Sequence, residues 1–419
     1  MVKAIDYCKT VFDGTHDTPK PTNSGYKLLT SKNILNGYID KDSAYYISEL
    51  DYKKINERSQ VKKWDILFSM IGTVGNVCLV TEDNIDFAIK NMGVFSCDDE
   101  YKSKWLYFYL KSPYAQKLIE NYLNGAIQKF LPLHRLRDFP IPEFNENSKK
   151  ICDFLWNLEK LQLNNRKIIF MAEELINEIY NHWFLQYEFP YHGKSYISNN
   201  GKMVFNAKTN IAIPENWDVY NLSDCISKEK NAIVDGPFGT QMKIEEYVSK
   251  GIPIYEMENL NNRFIINSPT HFITENKFNE IKRSAVKNGD IIISKTGTLG
   301  LLGIKDDEYE KGIIVSRLAK ITPNPHRMGK YTLLTILKKV NESGYWLKKS
   351  SGSTMPILNN SLVSNLELIL PKDSELLIKF ENYVTPFYER IKSAQIENQK
   401  IEKFENNILP LMYTNKIKF

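Results

Sequence analysis

The stretch "DIIISKTGTLG", Asp290–Gly300, reads as a short apolar strand closed by a Gly-Thr turn, and "DILFSMIGTVG", Asp65–Gly75, reads the same way. Asp, Ile, Ser, Gly, Thr and Gly fall at matching places 225 residues apart. Further pairs extend the match in the same order. "VKAIDYC" (Val2–Cys8) answers "VYNLSDC" (Val219–Cys225), and "FDGTHDTPK" (Phe12–Lys20) answers "VDGPFGTQM" (Val234–Met242). "YKLLTSKNI" (Tyr26–Ile34) resembles "IPIYEMENL" (Ile252–Leu260), and "NGAIQKFLPL" (Asn124–Leu133) answers "SGSTMPILNN" (Ser351–Asn360). The offset drifts only from 217 to 227 across these pairs, which makes this a duplicated domain.

Each copy has short runs of period-two alternation separated by Gly, Pro, Asn and Asp, with helical patches at Ser103–Tyr122 and Lys330–Lys349. The texture predicts an α+β unit with a strongly twisted, partly barrel-like sheet and flanking helices. Glycine-free segments follow each copy, and there the apolar spacing changes to a heptad. Phe154, Leu158, Leu161, Asn165, Ile168, Ala172, Leu175 and Ile179 step 4-3-4-3-4-3-4. Phe380, Val384, Phe387, Ile391, Ala394, Asn398, Ile401, Glu405, Ile408 and Met412 keep the same rhythm. These predict coiled-coil seams, with Asn165 and Asn398 as polar residues that fix register. Pro386 should kink or locally break the second helix. The lengths flanking the two asparagines match better antiparallel than parallel. The predicted order is sheet-rich domain 1–148, helix 149–186, sheet-rich domain 187–373 and helix 374–419, with a pseudo-twofold axis near the asparagines.

Two similar domains held apart by a two-helix spacer make a caliper, and duplex DNA read at two half-sites is an object such a caliper measures. The bulk numbers agree with this reading. Hydrophobic content of 42% and charged content of 25% are those of a globular chain, and 419 residues exceed a single core. A net charge of +5 permits a polyanionic partner without demanding one. Five cysteines without a CxxC pair suit a reducing cytoplasm, and neither a transmembrane run nor a signal-peptide apolar region is present.

"WFLQYEFP" (Trp183–Pro190), "NNGKMVF" (Asn199–Phe205) and "IPENWDVYNL" (Ile213–Leu222) lead from the first helix into the second copy. Together with the duplicated strand-turn pair and the "NGAIQKFL"/"SGSTMPIL" pair, they carry a resemblance covering nearly the whole chain. The chain resembles the specificity (S) subunit of type I restriction-modification systems. The first copy departs from the pattern in lacking an "IPENW" counterpart.

The resemblance implies a cytoplasmic subunit with no catalysis of its own and no bound cofactor. Two methyltransferase (M) subunits using S-adenosylmethionine would dock on it. Restriction-translocase (R) subunits using ATP and Mg would join them on double-stranded DNA, with no membrane involved. The sequence agrees by omission. It has no Asn/Asp-Pro-Pro-aromatic motif, no phosphate-binding Gly-x-x-x-x-Gly-Lys-Ser/Thr loop, no HExxH, and no metal-ligand spacing among its six histidines. Two other readings stand beside it: a protein-interaction scaffold without DNA readout, and a nuclease with an unrecognised site.

Candidate DNA contacts come from the turns and from polar loops that differ between the copies. Thr73 and Thr298, with their Gly-Thr turns, are candidates for phosphate oxygens. Asn33 and Asn259 are candidates for adenine, and Lys32 for guanine or phosphate. Glu258, Gln128, Lys129 and Lys295 complete the set. Trp64, Trp105 and Trp217 read as core anchors.

Overall fold

A computed structural model describes residues 1–35, 37–123, 130–265, 269–350 and 356–412. The chain divides into two units, Met1–Asn164 with Asn398–Phe419, and Asn165–Glu397.

In the first unit, strands Thr10–Asp13, Met92–Ser96, Ile66–Ser69 and Val77–Leu79 lie side by side in that order, all antiparallel. A second sheet places Tyr26–Leu29 between antiparallel Tyr45–Ile47 and parallel Phe87–Ile89. The other unit repeats the plan. Strands Ile233–Asp235, Leu318–Ile321, Ile291–Ser294 and Leu302–Lys305 form the first sheet, and Arg263–Ile265 joins its edge in parallel. Ile252–Tyr255 lies between antiparallel Phe272–Ile273 and parallel Lys311–Ile314. Even the register is repeated: Ser69 faces Met92, and Ser294 faces Leu318.

The quoted strands are central because both of their faces are apolar. Ile66 and Phe68 enter one core, while Leu67 enters another on the opposite side. Ile291 and Ile293 likewise face one core and Ile292 another. Successive side chains of a strand point to opposite faces, so an unbroken Ile/Leu/Phe run is what a doubly covered strand requires. Each such buried side chain contributes about 2 kcal/mol of transfer free energy. The aspartates that open the two stretches are buried caps. Asp65 accepts from the Lys62 N–H (2.8 Å) and Asp290 from the Lys287 N–H (2.9 Å), and burial raises the Asp65 pKa.

The expected helical patches are each split in two. Glu100–Lys111 and Pro113–Tyr122 meet at Ser112, whose hydroxyl caps the second helix ahead of its N-terminal proline. Lys330–Glu342 and Tyr345–Lys349 are divided at Gly344, which takes a left-handed φ of 69°.

The two long helices are Glu146–Tyr180, followed by a wide turn at Asn181–Leu185, and Glu375–Met412. Their segments pair antiparallel, as expected. In the unit Asn165–Glu397, Asn165 reaches Glu397 and Tyr180 packs on Phe380. In the other unit, Phe154 packs on Phe404, and Leu409 shares a core with Ile151 and Leu155.

Two expectations are corrected here. The second helix runs unbroken through Pro386, because Val384, Tyr388 and Ile391 are buried on either side of it. Their burial outweighs a proline penalty of about 3 kcal/mol. The seam of the second helix is buried as predicted at Phe380, Val384, Ile391, Ala394, Ile401 and Glu405, and that of the first at Asn165 and Ala172, but elsewhere on the first helix the buried stripe is shifted by one position. Leu155, Glu159, Gln162, Ile169 and Ile176 are buried, whereas Phe154, Leu161 and Leu175 are exposed. The first helix buries a face against its own recognition domain as well as against the other helix, and that moves the centre of the buried stripe. In the first unit Glu159 accepts from the Tyr107 hydroxyl (2.9 Å) and the Lys111 ammonium (2.5 Å).

In the second unit Glu173, on the first long helix, accepts a two-pronged bond from Arg263 (2.9 and 2.7 Å) and another from Lys338 (3.0 Å). Burial pushes the Glu173 pKa up, but the two cations more than offset it and hold the carboxyl below its usual value of 4.5. A depressed folded-state pKa stabilises the protein above the unfolded value and loses that stabilisation as pH falls through the folded one. Glu173→Gln is expected to cost about 2 kcal/mol near neutrality. Thermal melts of the two proteins should differ at pH 7 and converge only once pH has fallen below the depressed folded-state pKa of Glu173, where both carry a neutral side chain. A gap that persists unchanged into acid contradicts the ion-pair account.

Candidate nucleic-acid interface

In each unit, loops gather at one edge of the sheets, and the Gly-Thr turn is central among them. Gly72 and Gly297 take φ of 79° and 71°, and Gly75 and Gly300 take 99° and 76°. An L side chain is strained there, which accounts for glycine at both places in both copies. The closing bond is also repeated: the Gly75 N–H donates to the Ser69 carbonyl and the Gly300 N–H to the Ser294 carbonyl, each at 3.0 Å. A Cβ on Gly300 would lie 2.7 Å from the Trp346 ring and 2.6 Å from the Asn341 amide oxygen, so the turn is wedged onto the adjoining helices. Thr73 and Thr298 are exposed at the turns, where hydroxyl donors could meet phosphate oxygens.

Beside the Gly-Thr turn lies a second repeated turn, Ser31–Asn33 in one copy and Met257–Asn259 in the other. Its asparagine is buried in both, at 4% and 7% exposure. The Asn33 amide oxygen accepts from the Thr30 N–H (2.8 Å), and its amide nitrogen donates to the Asp40 carbonyl and Ser43 hydroxyl. Asn259 accepts from the Glu256 N–H at 2.7 Å. These amides hold the turn together, so the expectation that they present an edge to adenine is corrected. Exposed instead are the residues just before them, Lys32 and Glu258.

The third loop carries Asp13-Gly14 in one copy and Asp235-Gly236 in the other. A Cβ on Gly14 would lie 2.5 Å from the Ile89 carbonyl oxygen, and one on Gly236 would lie 2.2 Å from Val315. Lys295 pairs with Asp235 at 2.6 Å and is only 11% exposed, so it is a brace between loops rather than an outward-reaching cation. Its backbone N–H donates to the Arg317 carbonyl. In the first copy Asp13 accepts from or pairs with His16, which also meets the Asn91 amide (2.8 Å).

Arg317, His16 and Phe238 were not legible as site residues. Arg317 is exposed without an ion pair among the described residues, and Phe238 is 70% exposed. Their signal is positional: Arg317 stands where the first copy has Asn91, and Phe238 where it has His16. Gln128 and Lys129 lie outside the described residues. Asn165 is fully buried, and its amide donates to Glu397 (2.7 Å), the residue before Asn398. Trp105 and Trp217 are buried core anchors, and Trp64 is half-buried.

The architecture is thus a duplicated α+β unit with a loop-bearing edge, each copy attached to long antiparallel helices. The family model described as "Type I restriction modification DNA specificity domain" matches residues 15–170 and 214–403, and the chain belongs to that family. It is similar to the type I restriction enzyme MjaIX specificity subunit of Methanocaldococcus jannaschii, at 24% identity over 326 residues, 76% of this chain and 70% of that protein. It is also similar to the HindI specificity subunit of Haemophilus influenzae, at 22% identity over 206 residues, 49% of this chain and 42% of that protein. The crystal structure of a type I restriction-modification S subunit from M. genitalium shares the fold, with a TM-score of 0.56 at 17% identity, covering 97% of this chain and 94% of that one. No helix among the described residues is long and apolar enough to cross a membrane.

Proposed function

We propose that each of the two specificity domains reads one half of an asymmetric bipartite DNA site, and that the paired helices set the spacer between the halves. The observation that carries this reading is the repeated loop edge. Its exposed threonine is the same in both copies, while the polar residues around it differ. A frame that holds its backbone constant and varies its outward side chains is what two different half-sites demand. Thr73 and Thr298 supply sequence-independent phosphate contacts, and exposed Arg317 has the planar donor fork that matches guanine in the major groove.

In this reading the chain does no chemistry. Two methyltransferase subunits carrying S-adenosylmethionine dock on it, and restriction subunits carrying ATP and Mg join them. Adenine methylation, or cleavage of unmodified DNA, follows from those partners. The helices offer a docking surface: Phe170 and Met171 are each 62% exposed, and Leu175 is 47% exposed.

The test is duplex binding by the chain assembled with its methyltransferase subunits, across salt concentrations. Binding should prefer one bipartite sequence and fall by roughly three orders of magnitude between 50 and 200 mM salt. The chain alone should methylate nothing when given S-adenosylmethionine. Binding that ignores sequence at every salt concentration would favour a protein scaffold instead.

A further inference from the structure

Lys32 and Glu258 occupy one position in two copies of one turn, and they carry opposite charges. The backbone that presents them is superimposable in kind. The residue opening the turn has φ −124° and ψ 173° at Thr30, and φ −120° and ψ 173° at Glu256. Each turn is a single tight helical turn closed by its buried asparagine. The two side chains therefore leave equivalent backbones in the same local direction. Both are exposed, and neither has an ion pair among the described residues. Neither charge is spent on holding the fold.

The turn adjoins the Gly-Thr turn. A Cβ on Gly297 would lie 3.3 Å from the Met257 methyl carbon, so the residue before Glu258 touches the turn that bears Thr298. In the first copy the Asn76 amide, directly after the Gly-Thr turn, donates to the Ile34 carbonyl at 3.0 Å, directly after Asn33. Ser31 donates to the Asn91 carbonyl at 3.3 Å, which ties the turn to the loop where the second copy carries Arg317.

Two neighbouring positions thus behave differently between the copies. Thr73 and Thr298 are identical, as a contact to the invariant phosphate backbone would be. Lys32 and Glu258 are opposite in sign. A carboxylate is repelled by phosphates, so this position cannot serve the backbone in both copies. Base edges do offer both polarities: guanine presents two acceptors in the major groove, and the exocyclic amines of cytosine and adenine present donors.

Resting on the DNA reading proposed above, we propose that this position is specificity-determining. Lys32 donates to a guanine edge in one half-site, and Glu258 accepts from a cytosine or adenine amino group in the other. No bond is made or broken; discrimination comes from leaving a charged group unpaired against the wrong base.

The test maps methylated sites on genomic DNA for the complete complex with its methyltransferase subunits. The parent is compared with Lys32→Glu, Glu258→Lys, Glu258→Gln and Thr298→Ala. Lys32→Glu should change one letter of one half-site, and Glu258→Lys one letter of the other, towards guanine on the contacted strand. Glu258→Gln should relax discrimination at that same letter by roughly ten-fold. Thr298→Ala should lower the extent of methylation with every letter kept. If Glu258→Lys abolishes methylation, Glu258→Gln decides: a relaxed letter supports the assignment, and full discrimination overturns it. Unchanged letters in both half-sites for Lys32→Glu and the Glu258 variants also overturn it, while the parent's defined site leaves the DNA reading standing. A parent complex that methylates no defined sequence overturns the DNA reading itself, and this inference with it.

Discussion

Four residues inserted after Asn164, and four more after Glu397, are expected to lengthen the preferred spacer by one or two base pairs while leaving both half-sites unchanged. The two points lie level, because Asn165 and Glu397 are hydrogen-bonded to each other. An α-helix rises about 1.5 Å and turns about 100° per residue, so each insertion adds about 6 Å and rotates the remainder of its helix by about 40°. One DNA base pair adds about 3.4 Å and turns roughly 34–36°. The rotation matches one base pair and the length one to two. Seven inserted residues add about 10 Å with little rotation. Three base pairs match that length but turn the second half-site by about 100°. That variant should lose nearly all sequence-specific binding. Methylation mapping of both variants checks the pair, and an unchanged spacer contradicts a helical ruler.

Replacing both Phe170 and Met171 by Asp is expected to abolish co-purification with the methyltransferase subunits while leaving the chain folded. Both side chains are already mostly in solvent, so the change costs the isolated chain little. In a docked complex the same carboxylates would be buried without partners, at several kcal/mol each. That corresponds to a loss of affinity of at least a thousand-fold. Circular dichroism and melting temperature report the fold, and size-exclusion chromatography with the methyltransferase reports the assembly. Normal assembly by the double variant would remove this face from the docking surface.

Much of the architecture was legible because it rests on local rules that sequence displays. Gly72, Gly75, Gly297 and Gly300 all take positive φ, so the turn leaves a glycine signature wherever it occurs. The Asp-Ile strand leaves an apolar run because it is covered on both faces. The second helix shows its seam correctly, since Phe380, Val384, Ile391 and Ala394 are all fully buried.

The features that sequence conceals are tertiary. In a polar loop, Asn33 looks like a surface reader, and only its burial beneath Thr30, Asp40 and Ser43 identifies it as a clamp. Lys295 looks like a free cation until Asp235, sixty residues away, is placed beside it. Away from Asn165 and Ala172, which are buried where the heptad places them, the first helix reads one position out of phase, because Glu159, which looks like a solvated residue, is buried against Tyr107 and Lys111. Arg317 carries no motif; its place beside the Lys295 backbone depends on strand pairing across the sheet.

The central claim is that each specificity domain reads one half-site independently of the other. The most direct measurement exchanges residues 1–145 for the equivalent region of a related specificity subunit and maps the methylated sites of the assembled complex. The account predicts that one half-site takes the donor's sequence while the other half-site stays as it was. A change in both half-sites, or in neither, would contradict it.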